Sequence, residues 1–120
     1  MNPNYVLLYV DNPAVSVAFY SDLLGLEPVE SSATFALFVL ASGLKLGLWA
    51  RHTVEPKSLA SGGGSELAFG VADRSVVNDM YADWSARGLA IAQRPVSMDF
   101  GYTFVALDRD GHRLRVFVLE

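Results

Sequence analysis

The chain has 120 residues, no cysteine, and a formal charge of −4 from nine Lys and Arg against thirteen Asp and Glu. Hydrophobic residues make up 52% and charged residues 18%, which allows one sizeable core and argues against disorder. Disulfides, thiolate metal sites, iron–sulfur clusters and cysteine nucleophiles are excluded, and the acidic balance argues against nucleic acid or an anionic membrane as the main partner. No apolar run approaches the ~18 residues of a membrane span, and Met1-Asn2-Pro3-Asn4 lacks the start of a signal peptide. A cytoplasmic protein with one domain over 1–120 is expected.

Tyr5-Val6-Leu7-Leu8-Tyr9-Val10 is short, β-branched and aromatic and reads as a strand. Asp11 or Asn12 then suits a helix N-cap, and Pro13 the first helical position. Val15, Phe19, Leu23 and Leu26 recur near helical spacing, and Gly25 is a natural stop. Strands are predicted over Ala33–Leu40 and Leu44–Ala50, with Ala41-Ser42-Gly43 as a turn. Residues 51–65 contain Pro56 and Ser61-Gly62-Gly63-Gly64-Ser65 and read as a flexible linker. No helix with a following Lys-Ser/Thr accompanies those glycines, so they are not a phosphate loop.

The order then repeats. Glu66–Val71 is a strand, and Asp73 or Ser75 caps a helix whose stripe is Val77, Met80, Tyr81 and Trp84. Trp84 on that stripe reads as core. Gly88 ends the helix, and an extended segment follows Leu89. Phe100–Leu107 and Arg113–Leu119 form a hairpin around Asp108-Arg109-Asp110-Gly111. Shifting the chain by 61 residues superposes Val10 on Val71, Tyr20 on Tyr81 and Asp22 on Asp83. Near the end the offset is 68, relating Gly43 to Gly111, Leu46 to Leu114 and Leu48 to Val116, which we assign to a longer hairpin loop in the second half. Module one (1–50) and module two (66–120) each read strand, helix, three strands, as a duplicated unit.

This duplication, with Phe19-Tyr20…Leu24-Gly25-Leu26 and Asp108-Arg109-Asp110-Gly111-His112, resembles the vicinal oxygen chelate superfamily. That group holds glyoxalases, extradiol dioxygenases and bleomycin-resistance binding proteins. The tail from Phe100 to His112, together with Trp49, is most similar to phenazine- and bleomycin-type resistance proteins. The resemblance implies an α+β fold: two βαβββ modules forming a curved mixed sheet, helices on the convex side and a concave ligand cleft. It also implies that metal-dependent members draw two ligands from each module, at positions matching Tyr5, Gly47, Glu66 and Arg115. Only Glu66 is a suitable ligand among these, so no metal and no other cofactor are expected. His52 and His112 read as solvent-exposed turn residues.

Strand alternation assigns faces independently of the family. Tyr5, Leu7 and Tyr9 share one side of the first strand, and Lys45, Gly47 and Trp49 the matching side of another. Phe35, Leu37 and Val39 join them if Leu40 pairs with Leu44. In the second module Glu66, Ala68 and Gly70 face the same way as Arg113, Arg115 and Phe117, and Tyr102 and Phe104 are placed beside them. Gly47, Ala68 and Gly70 are expected to leave room for a ligand. The aromatics form either a second core layer or dimer interface, or a slot for a flat conjugated ligand. Glu66 and Arg115 are expected to pair, as a structural ion pair or as one that also grips a ligand's polar edge.

Three functions remain open: sequestration of a small planar aromatic compound without turnover, a metal-dependent lyase, isomerase or dioxygenase, and a metal-free enzyme with Glu66 as general base. The first is favoured. The ligand-binding residues would be Tyr5, Leu7, Tyr9, Phe35, Leu37, Trp49, Glu66, Tyr102, Phe104, Arg115 and Phe117, with no catalytic residue. The expected partners are a small aromatic ligand and a second copy of the chain, with no nucleic acid and no membrane.

Overall fold

A computed structural model describes residues 1–60 and 62–120. The chain divides into two units, Met1–Ser61 and Gly62–Glu120. In the first, β1 (Tyr5–Val10) leads into α1 (Pro13–Leu24), followed by β2 (Glu30–Ser31), β3 (Phe35–Val39) and β4 (Lys45–Ala50). In the second, β5 (Glu66–Gly70) leads into α2 (Arg74–Ala86), then β6 (Ala90–Met98), β7 (Gly101–Leu107) and β8 (Arg113–Leu119). Each unit is a four-stranded mixed sheet, ordered β1-β4-β3-β2 and β5-β8-β7-β6. The first and last strands of each unit pair in parallel, and the remaining pairs are antiparallel. These are two βαβββ modules, as the repeat predicts. Among the described residues no helix is long and apolar enough to cross a membrane.

The repeat offsets are visible in the elements. β1 and β5 begin at Tyr5 and Glu66, and α1 and α2 at Pro13 and Arg74, both 61 apart. β4 and β8 begin at Lys45 and Arg113, 68 apart. The added residues are not in the final hairpin loop. Val39 pairs with Lys45 and Leu107 with Arg113, so each loop has five residues. The added length falls largely on β6, which has nine residues against two in β2 and carries two register shifts. A bulged strand lengthens one side of a ladder without disturbing its partner.

Local chemistry explains the helix ends. Asn12 Oδ1 accepts from the Ala14 amide at 3.0 Å, Pro13 opens α1, and Gly25 closes it in the left-handed region at φ 66°. Asp73 caps α2 by accepting from the Val76 amide at 3.1 Å. The stripe of α2 is as read: Val77 and Trp84 are buried, with Met80 and Tyr81 half-buried beside them. The stripe of α1 is not. It buries Pro13, Ser16 and Tyr20, while Val15 and Leu26 stay exposed. The α1 sequence is apolar nearly all round, so periodicity carried no decision, and packing on β3 and β4 made it.

The core of each unit lies between its helix and its sheet. In the first, Leu8, Val10, Ala36, Phe38, Leu46 and Leu48 are buried under α1. In the second, Trp84 meets Phe69 at 5.6 Å and Phe104 at 5.4 Å, and Tyr81 meets Phe104 at 5.5 Å, all edge to face. That geometry suits the ring quadrupoles and makes one aromatic cluster.

Two expectations about connecting segments are corrected. Residues 51–65 are not featureless. Arg51–Thr53 form a 3-10 turn, Thr53 Oγ1 donates to the Ala50 carbonyl at 2.8 Å, and Val54 is buried. A Cβ on Gly62 would lie 2.7 Å from the His112 amide nitrogen and 2.9 Å from the Asp110 carbonyl oxygen, so this glycine seats backbone against backbone. Ser61 of that segment lies outside the described residues. His112 is not solvent-exposed. It is buried, with Nδ1 2.7 Å from Asp108 Oδ2, while Asp108 Oδ1 accepts from the amides of Asp110 and His112 at 2.9 Å each. A turn that must satisfy its buried amides uses its own aspartate to do so.

Candidate functional site

In the first unit, β1, β4 and β3 carry one set of side chains away from α1. Tyr5, Leu7 and Tyr9 stand beside Lys45, Gly47 and Trp49 in parallel register, and Phe35 and Leu37 stand opposite Trp49 and Gly47. Leu40 donates to the Leu44 carbonyl at 2.9 Å, which closes the hairpin in the register that this face requires. Tyr9 and Trp49 meet edge to face at 6.1 Å, and the Lys45 ammonium lies 5.1 Å over the Tyr5 ring. Tyr5 is 52% exposed and Leu7 44%, while Tyr9, Phe35, Leu37 and Trp49 are half-buried. Six sequence-predicted residues and their neighbours thus form one accessible aromatic face.

Gly47 does not leave that face hollow. A Cβ there would lie 2.6 Å from Leu7 Cδ2 and 3.0 Å from the Phe35 ring, so those two side chains already fill the space. Gly70 differs: a Cβ there would meet the Phe117 ring at 3.5 Å, an ordinary contact distance. The missing side chain of Gly47 admits neighbouring ones, which is how a close-packed surface absorbs a glycine.

In the second unit, Arg115 is the centre of the polar contacts. Its Nε donates to Glu66 Oε1 at 2.7 Å and its Nη2 to Glu66 Oε2 at 2.9 Å. Its Nη1 donates to Thr103 Oγ1 at 3.2 Å, and Thr103 Oγ1 in turn donates to the Val116 carbonyl at 2.8 Å. Arg113 stands 4.0 Å from the same carboxylate. The hydrogen bonds from Arg115 hold the Glu66 carboxyl below its ordinary range, against partial desolvation, and raise Arg115 in turn. A carboxylate held low and engaged by a guanidinium fork is a poor general base at neutral pH. The fork expected to receive a ligand carboxylate is already occupied by Glu66 on its Nε–Nη2 edge.

Tyr102 and Phe104 are not on this face. Leu107 pairs with Arg113, so Phe104 pairs with Val116 and Tyr102 with Val118, all on the α2 side. Phe104 is fully buried against Trp84 and Tyr81. Tyr102 donates its hydroxyl to Asn78 Oδ1 at 2.8 Å, and the Arg74 guanidinium covers its ring at 4.5 Å. Arg74 also grips Glu120 at 2.6 and 2.7 Å and Ser97 Oγ at 3.0 Å. The residues that do flank Arg115 and Phe117 are Thr103 and Val105, both missed in the sequence reading. Phe100 was missed as well; its ring meets Phe117 at 6.3 Å and lies 6.0 Å from the Arg115 guanidinium. The signal was available in the five-residue turn, which sets cross-strand parity.

The four positions implied for metal ligands do not fit a divalent ion. Glu66 is committed to Arg115, Arg115 is a cation, Gly47 has no side chain or room for one, and Tyr5 lies under Lys45. Among the described residues no three His, Asp or Glu side chains converge.

The sequence profile of the Glyoxalase/Bleomycin resistance protein/Dioxygenase superfamily matches residues 2–116. The chain is 24% identical, over 100% of its own length and 94% of the relative's, to the phenazine antibiotic resistance protein EhpR of Enterobacter agglomerans. A protein of Agrobacterium tumefaciens, solved in solution by NMR, is 57% identical with a TM-score of 0.93, covering 100% of this chain and 98% of that one. A glyoxalase/bleomycin resistance protein/dioxygenase family enzyme of Burkholderia phytofirmans has a TM-score of 0.84 at 21% identity over 100% of both chains, a likeness of fold. With the profile spanning both βαβββ units, the chain belongs to the glyoxalase/bleomycin resistance protein/dioxygenase superfamily.

Proposed function

We propose that this protein binds a small planar aromatic compound of the phenazine or related antibiotic kind, sequesters it without chemical turnover, and works as a homodimer. The observation that carries the reading is the aromatic face of the first unit, where Tyr5, Tyr9, Phe35 and Trp49 stand on adjacent strands with their rings accessible. Such a face offers apolar area together with offset or edge stacking, worth about 0.5–1.5 kcal/mol per ring pair beyond area. The similarity to a phenazine antibiotic resistance protein supports the ligand class. The engaged state of Glu66 supports binding over proton transfer. Exposed Tyr5 and Leu7 on an otherwise packed sheet support a second copy of the chain as partner.

The test is a titration with phenazine and with phenazine-1-carboxylic acid, followed by tryptophan fluorescence, with the ligand recovered and weighed by mass spectrometry. Saturable quenching and return of unchanged ligand are expected. Accumulation of a product would replace sequestration by catalysis, and absence of quenching at solubility-limited ligand would remove this ligand class.

A further inference from the structure

The duplication lets each helix be judged against its counterpart. The buried side of α1 is Pro13, Ser16 and Tyr20, so its outer side is Ala14, Val15, Ala18 and Asp22, all exposed. The offset of 61 relates these to Ser75, Val76, Asp79 and Asp83 of α2. There the three exposed positions are polar and the one apolar residue, Val76, is half-buried. In α1 three of the four are apolar, with Val15 at 42% exposure. The chain beyond the helix continues in kind: Leu26 is 37% exposed and Val29 66%, with Glu27 and Glu30 exposed beside them in sequence. A helix covering a sheet ordinarily turns polar residues to solvent. An apolar outer side bordered by charge marks a surface that another molecule covers.

The charges say what fits. No Lys, Arg or His precedes Lys45, whereas Asp11, Asp22, Glu27 and Glu30 all do. The second module mixes signs, with Arg74, Arg87 and Arg94 among its acids. A second copy placed on this surface by a two-fold axis would bring like carboxylates together, with no cationic side chain in either stretch to answer them. An anionic membrane would be repelled for the same reason. A cationic partner gains where those two lose. The small side chains of Ala14 and Ala18 allow a helix to approach closely, since interaxial distance follows the residues at the contact.

We propose that the outer side of α1 and the turn after it dock a partner protein through a basic amphipathic helix. Its apolar stripe would lie on Val15, Ala18 and Leu26, and its Lys or Arg margins would face Asp22, Glu27 and Glu30. Tyr5 and Leu7 stand on the other side of the first unit's sheet, so this surface does not depend on the ligand or dimer contacts proposed there.

Two helical peptides of about 18 residues test it, long enough to hold a helix. Both carry one Leu stripe; one has Arg at the margins and the other Glu. Each is titrated into the ¹⁵N-labelled full chain and followed by two-dimensional NMR. The Arg peptide is expected to shift the amides of residues 14–30, to bind about tenfold or more tightly than the Glu peptide, and to weaken as salt is raised. Ala18→Lys, on the exposed side of α1, should weaken it about tenfold, and Asp79→Lys, the matching position of α2, should leave it unchanged. Equal binding of the two peptides, no shift at 14–30 at millimolar Arg peptide, or the same loss in both variants would each overturn the proposal. Sedimentation of the two variants covers the other occupant: a dimer lost in Ala18→Lys and kept in Asp79→Lys would give this surface to a second copy and overturn it as well.

Discussion

Trp49 and Arg115 carry the testable weight at the scale of single residues. Trp49 stands half-exposed at the edge of Tyr9, so its indole contributes both area and stacking to anything lying on that face. Trp49→Ala is expected to weaken phenazine binding by about 1–3 kcal/mol with little loss of stability; isothermal titration and thermal unfolding together check this, and an unchanged affinity with a destabilised fold would make the ring a packing element. Glu66 titrates below its ordinary value because Arg115 engages both oxygens. A carboxyl depressed in the folded state contributes stability above its unfolded pKa and loses that contribution as pH falls through the folded one. Stability should therefore drop as pH falls from about 4.5 downward, and Glu66→Gln should flatten that part of the profile while costing about 1–2 kcal/mol at neutral pH. Denaturant unfolding of both proteins at pH 3 to 7 gives the comparison. The pairing of Glu66 with Arg115 was legible in the sequence, since both lie on one face of strands of one module. That the pair would consume the arginine fork was not, because it depends on two side-chain conformations meeting.

Among the elements, the second helix and the Gly62 segment make opposite kinds of contact. Trp84 fills the space between α2 and the sheet, touching Phe69 and Phe104. Trp84→Ala should lower stability by about 3–5 kcal/mol, through lost transfer energy and a residual cavity. Phenazine affinity should follow only as far as unfolding requires, which urea unfolding alongside the titration would separate. Gly62 packs without a side chain on the Asp110–His112 backbone, and a methyl at 2.7 Å from a main-chain nitrogen forces displacement. Gly62→Ala is expected to cost about 1–3 kcal/mol and to speed amide hydrogen exchange at Gly111 and His112. Exchange unchanged at both would mean that the segment is only a tether. Glycine content and polarity mark this stretch as a connector, and nothing in a run of glycines says which of them is seated. Tyr102 and Phe104 teach the converse. Their parity follows from the pairing of Leu107 with Arg113, and counting from the turn places them under α2 before any coordinates are needed.

For the molecule as a whole, the expected homodimer is measurable directly. Sedimentation at micromolar concentration should show a species of twice 13.0 kDa, and a single 13.0 kDa species would leave the apolar face of the first unit without a protein partner. The sequence alone determined the duplicated strand–helix–strand order, the candidates for the helix caps, the superfamily and the aromatic face of β1, β3 and β4. These rest on short-range rules: alternation at period two, capping side chains beside orphan amides, and self-similarity at a near-constant offset. Only the tertiary structure decided which side of α1 is buried, how His112 and Asp108 satisfy the last turn, and that Leu7 and Phe35 fill the space beside Gly47. It alone showed that the extra residues of the second module fall largely on β6, with two register shifts against β7. A helix apolar on every side has no preferred face until something packs on it, and a gap exists or closes according to side chains distant in sequence, which no local pattern encodes.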